Sequence, residues 1–197
     1  MALTDTATLT AGRCFILTAD FSGGSAGAKP TLTQILAVAS SGGTTLPSNW
    51  TNIGHTSQDN LLTPSREGGD ITTSGSWQKP VLKSVQSPVV DSLSVPSIQL
   101  LDNEILRLYY GGGTFTTANE FVGPATSAPI ERRVCFVLVE SETKAAALYW
   151  PKSSVIGSDV WSVDKENPTE FPLQFTRLDQ SGEPPFVWIG SGLGSGA

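Results

Sequence analysis

Residues Arg133–Glu140, RVCFVLVE, place apolar side chains on both faces of an extended segment. Successive side chains of a strand point to opposite faces, so this strand must be covered on both sides. Other short runs repeat the pattern. Arg13–Asp20 (RCFILTAD), Thr33–Ala39 (TQILAVA), Ala145–Trp150 and Pro185–Gly190 (PFVWIG) each read as strands, separated by Gly, Pro and Ser breakers. Asp70–Gln78 alternates, with Ile71, Thr73 and Trp77 on one face and Thr72, Ser74 and Ser76 on the other. Val81–Val90 continues in the same style. Glu170–Arg177 aligns Phe171, Leu173 and Phe175, and Pro172 marks it as an edge strand or a bulge. Trp50–Thr56 is short and mixed, and Ser57–Gly69, polar and holding Pro64, reads as a long excursion.

One helix is expected. Asp102 can accept hydrogen bonds from the first free N–H groups, and Leu101, Ile105, Leu108 and Tyr109 then share one face. Glu104 and Arg107 sit at the ends that suit their charges, and Gly111-Gly112-Gly113 stops the helix. At this length it must pack on a sheet to persist. The expected fold is therefore mainly β. It is a sandwich or barrel of two packed sheets and roughly eight strands, with one short flanking α-helix and a long extended loop. Residues 1–190 form one domain, and 191–197 a flexible Gly/Ser tail.

Composition removes several function classes. Charged residues are only 15% of the 197, too few for a coiled coil or helical bundle. No 18-residue apolar run is present to span a membrane, and the N-terminus lacks the basic and apolar regions of a secretory signal. The net charge of −6 comes with no basic stripe, which argues against sequence-reading of nucleic acid. Cys14 and Cys135 both sit in apolar runs and read as buried free thiols.

Catalytic chemistry finds no foothold. His55 is the single histidine, so a two-histidine metal site is impossible. Asp59 and Ser57 near it make only a weak triad, and packing or an interface hydrogen bond is the expected role of His55. The pairs Glu140/Glu142 and Asp164/Glu166 read as solvated strand ends or turns. Gly111–Gly113 ends a helix, so its N–H groups face the wrong way for a phosphate. Asn49-Trp50-Thr51 fits the glycosylation pattern by accident. The five tryptophans are expected in the core and in subunit contacts. No cofactor and no metal is expected.

The order of motifs from Leu46 to Gly113 is more specific. It runs LPSNW, then IGHTSQD, a polar excursion ending in Gly68-Gly69-Asp70, a Thr/Ser-rich strand with Trp77, and a helix entering Tyr109-Tyr110-Gly111. AALYWPKS and a late Phe-Pro-Leu follow. This series resembles the major tail (tail tube) proteins of long-tailed phages that infect actinobacteria. The likeness covers most of the chain, is strongest over 46–113 and is loose over the first 45 residues. The resemblance implies a phage tail-tube fold, a non-catalytic virion protein assembled in the host cytoplasm, and hexameric rings stacked into a hollow tube. One sheet of each subunit would join a continuous barrel around the lumen. Genomic DNA would pass through without specific binding, and tape-measure, tail terminator and distal tail proteins would be partners. The loop at about 56–70 would reach a neighbouring subunit, with His55, Asp59, Arg66, Glu67 and Asp70 as candidate inter-subunit contacts. Six copies at −6 would give a ring of −36, and acids facing the lumen would repel DNA. The alternative is a β-sandwich carbohydrate-binding or adhesion module using exposed Trp and Tyr.

Overall fold

The computed structural model describes residues 8–21, 26–58, 62–116, 119–163 and 165–193. In chain order the elements are β1 (Arg13–Asp20), α1 (Leu32–Ser40), β2 (Thr51–Asn52), β3 (Thr63–Gly68), β4 (Ile71–Ser74), β5 (Lys83–Gln86) and β6 (Val89–Ser97). They continue with α2 (Asn103–Tyr110), β7 (Thr114–Phe115), β8 (Phe121–Val122), β9 (Ile130–Ser141), β10 (Lys144–Gly157), β11 (Phe171–Arg177) and β12 (Val187–Gly190). The molecule is mainly β and antiparallel. The main sheet runs β2-β1-β9-β10-β11-β6-β3, and β12 pairs with β10 beside β11.

The strand apolar on both faces, β9, is interior to this sheet between β1 and β10 and is covered on both sides. Val134 and Phe136 join Ile16, Trp150 and Val155 in one core, which β6, β11 and α2 close with Leu93, Phe171, Leu173, Phe175 and Ile105. Cys135, Val137 and Val139 face the other way, into a core of Leu17, Tyr149, Trp50 and α1. Phe136 meets Phe175 edge-on at 5.5 Å although β10 lies between their strands, so the sheet folds over itself into a sandwich. The bend is local. Trp150 pairs with Val134 and Ser153 with Arg132, which leaves Pro151 and Lys152 opposite Arg133 as a bulge. Before the bulge β10 pairs with β12, and after it with β11.

Thr33–Ala39, expected to be a strand, is helix α1. Thr31 and Gln34 cap each other reciprocally, which satisfies two N–H groups at the helix start. Ile35, Val38 and Ala39 then form the buried face at helical spacing. The described residues therefore hold two helices where one was expected. The second keeps its expected cap, its glycine stop and its buried Ile105 and Leu108, but Leu101, expected on the same face, precedes the helix and is 92% exposed. Asp102 accepts from the N–H groups of Glu104 and Ile105, and Gly111 ends α2 at φ 66°.

Two further expectations change. Thr63–Gly68 lies in the supposed excursion, yet it is a strand paired with β6. Pro172 is in neither an edge strand nor a bulge. It sits opposite Pro96, and their carbonyls accept from Ser158 and Ser57 on the sides away from each other. A strand residue's N and C=O point to the same side, so neither missing N–H falls in the β6–β11 ladder. At the other end of the domain, Ser191 bonds the Ala145 carbonyl through its N–H, and residues 194–197 of the expected tail lie outside the described residues.

Candidate functional site

The strands from Thr63 to Ser94 form one long two-stranded ribbon. Its base, β3 with β6, belongs to the main sheet, where Thr63 opposes Ser94 and Gly68 opposes Val89. The same register continues through the bond from the Ser87 N–H to the Asp70 carbonyl into β4 and β5, where Ile71 opposes Gln86 and Ser74 opposes Lys83. The distal half leaves the sheet and extends about 25 Å at strand rise. Gly68 and Gly69 make the joint at φ 79° and 80°, opposite Pro88. A Cβ on Gly68 would lie 2.1 Å from the Pro88 carbonyl oxygen, so only glycine fits there.

The ribbon ends in a tight turn. Ser76 and Lys79 exchange backbone hydrogen bonds of 2.7 and 3.1 Å around Trp77 and Gln78. A two-residue loop suits the twist of a hairpin. Trp77 was expected on a strand face; it is instead the turn residue at the tip, and it is 100% exposed. Ile71, Val81, Leu82 and Val85 are also exposed. Residues 71–88 hold Lys79 and Lys83 and no acid, a charge of +2. Subtracting +2 from −6 leaves −8 on the rest of the chain.

The expected contact residues fall around the base of this ribbon. Arg66 on β3 is exposed and its Nε lies 2.6 Å from an Asp91 oxygen on β6. Hydrogen bonding and charge from Asp91 raise the Arg66 pKa still further above its ordinary value. Asp91 also meets Arg177 of β11 at 3.3 Å, so one carboxylate ties three strands. Glu67 is exposed beside Arg66 on β3, and Asp70 is exposed at the joint. His55 is exposed away from them on the segment after β2, where its carbonyl accepts from the Ile98 N–H. Asp59 lies outside the described residues. The structure thus brings Arg66, Glu67 and Asp70 onto one ribbon. The segment that projects is 69–88, beyond the expected 56–70.

A concave surface lies where β11 and β12 diverge from β10. It holds a cavity of about 300 Å³ walled by Leu93, Leu148, Trp150, Phe186 and Trp188, with Arg66 and Asp91 at the rim. Phe186 and Trp188 are 41% and 47% exposed, and Arg177 sits 5.8 Å over the Phe186 ring. Local sequence gave no sign of this cleft beyond two aromatics in a strand. The exposed tryptophans do not share an element. Trp77 is at the tip, Trp188 lines the cleft, and Trp161 stacks at 6.0 Å on Phe171.

Four other chemistry-bearing groups, Cys14, Cys135, Glu140 and Tyr149, are buried or engaged in structure. Burial pushes the Cys14 thiol up to about 11, and burial with the nearby Cys14 pushes Cys135 up to about 12, which leaves both inert as nucleophiles at neutral pH. Glu140 is held below its ordinary value by Lys144 and the Thr10 N–H. Tyr149 is buried with its hydroxyl 2.8 Å from Arg133, which also pairs with Glu183 at 2.9 Å.

Residues 1–196 match the model of a family described as phage tail tube protein. The major tail protein Gp23 of Mycobacterium phage D29 is 30% identical over 193 residues, spanning 98% of this chain and 96% of the relative. The major tail protein Gp23 of Mycobacterium phage L5 is 29% identical over 194 residues with the same coverage.

Proposed function

Because the chain belongs to the phage tail tube protein family, and is a structural, non-catalytic protein of the virion tail, we propose that six copies close into a ring and that rings stack into a hollow tube. The observation that carries this reading is the ribbon. An isolated subunit exposes Ile71, Trp77, Val81, Leu82 and Val85 on an arm with almost no cover of its own. The register puts Ile71 and Val85 on opposite faces of the ribbon, so both faces expose apolar side chains, and exposed apolar surface on this scale marks an interaction site. β2 and β3 stand at the two ends of the sheet order, and pairing such edges between neighbours removes an aggregation hazard. Arg66, Glu67 and Asp70 serve inter-subunit contacts at the base of the arm, and His55 and Asp59 serve such contacts as well.

Genomic DNA passes down the lumen without specific binding. Acids on the lumen wall keep phosphate from sticking, since clustered Lys and Arg would hold it. Tape-measure, tail terminator and distal tail proteins set the length and close the ends, and assembly takes place in the host cytoplasm. Negative-stain electron microscopy of the concentrated protein tests the reading. Hollow filaments with six-fold end views are expected. Compact particles that bind glycans in a screen would instead make the chain an adhesion module.

A further inference from the structure

The chain carries a convex aromatic knob and a concave aromatic hole on different surfaces. Trp77 has no cover within its own chain at 100% exposure, and it stands about 25 Å out along a ribbon whose base forms one wall of the cleft. The hole, at about 300 Å³, is walled by Leu93, Leu148, Phe186 and Trp188. A tryptophan ring brings roughly 150–250 Å² of surface to burial. The Arg66–Asp91 pair rims the cleft with a donor and an acceptor, the polar border that excludes water around a central anchor.

The hole calls for an occupant other than the tip of the same ribbon. The ribbon root is one wall of the cleft, and an extended two-stranded ladder cannot turn back on itself to seat its own tip there. A knob and a hole on different surfaces make a head-to-tail contact, which propagates into a ring or a filament and does not stop at a dimer.

We propose that Trp77 of one copy seats in the cleft between the β3–β6 ribbon base and β12 of a second copy, and that this contact is the anchor of the arm. The proposal rests on the tube reading and names where on the neighbour the arm lands. The test replaces Trp77 with the photo-reactive residue p-benzoylphenylalanine in assembled tubes, followed by mass spectrometry of the cross-linked peptides. Cross-links to residues 64–66, 91–93, 148 or 186–188 of another copy are expected. Cross-links elsewhere on the neighbour, or none between copies, overturn the proposal while the hollow tubes leave the tube reading standing. Wild-type protein that forms no tubes overturns both.

A double-mutant cycle provides an independent measurement. Trp77→Ala and Trp188→Ala should each raise the concentration needed for assembly roughly 30-fold, as loss of an interface anchor does. The double variant should be no worse than either single one. Thermal unfolding of the unassembled Trp77→Ala subunit should match wild type, because the residue is fully exposed in the single chain. Additive effects in the cycle would overturn the proposed contact.

Discussion

Asp91 shows how one side chain can hold a surface together. It meets Arg66 and Arg177 at 2.6 and 3.3 Å, with Arg177 largely buried and Arg66 largely exposed. Asp91→Ala should lower the melting temperature of the subunit distinctly more than Arg66→Ala, because it strands the less exposed cation. Asp102→Ala should cost about 1 kcal/mol through loss of the α2 cap, read as a shift in the urea midpoint. The thiols make a pH prediction. Burial holds Cys14 and Cys135 at about 11 and about 12, above the roughly 8.5 of an unfolded thiol. A folded pKa above the unfolded one stabilises fully below the lower value and is lost as pH rises toward the higher. Burial raises Tyr149 in the same direction. The urea midpoint should therefore fall between pH 9 and 11, and a thiol reagent at pH 8 should reach Cys135 only after unfolding.

At the scale of elements, legibility followed locality. The β9 strand was readable because RVCFVLVE has no polar face, and α2 because its cap, apolar stripe and terminal glycines fall within twelve residues. Helix α1 was misread because seven mostly apolar residues fit either period, and the decisive signal, Thr31 with Gln34, lies at its start. β3 was missed because both its faces are polar and its partner β6 lies a whole ribbon away. The cleft depends on where β11 and β12 leave β10, a matter of long-range pairing to which no local pattern points. Three of the five expected contact residues come together because they share the ribbon. Gly111→Ala should cost at least about 1–2 kcal/mol, since φ is 66° and the new Cβ would lie 2.5 Å from the Ala128 carbonyl oxygen. Gly68→Ala should leave the far-ultraviolet spectrum of the subunit nearly unchanged and abolish tube formation, because the clash with Pro88 redirects the arm.

Considered as a whole, the molecule separates a double core from an arm that has none. Two apolar layers lie on either side of β9, whereas the distal ribbon joins neither and its apolar side chains are exposed. Limited proteolysis should cut free subunits first within 69–88, and assembly should protect the same bonds. The arm is also uneven along its length. Its two ladders share one register, but at the joint two glycines face a proline that donates no hydrogen bond. Mechanically, that is a pair of stiff rods joined by a compliant link. When a tail flexes, neighbouring subunits must move apart on the outer side of the curve and together on the inner side. An arm anchored on a neighbour as proposed would take up the displacement as rotation at the link, and the strand pairing on either side would keep its alignment under load.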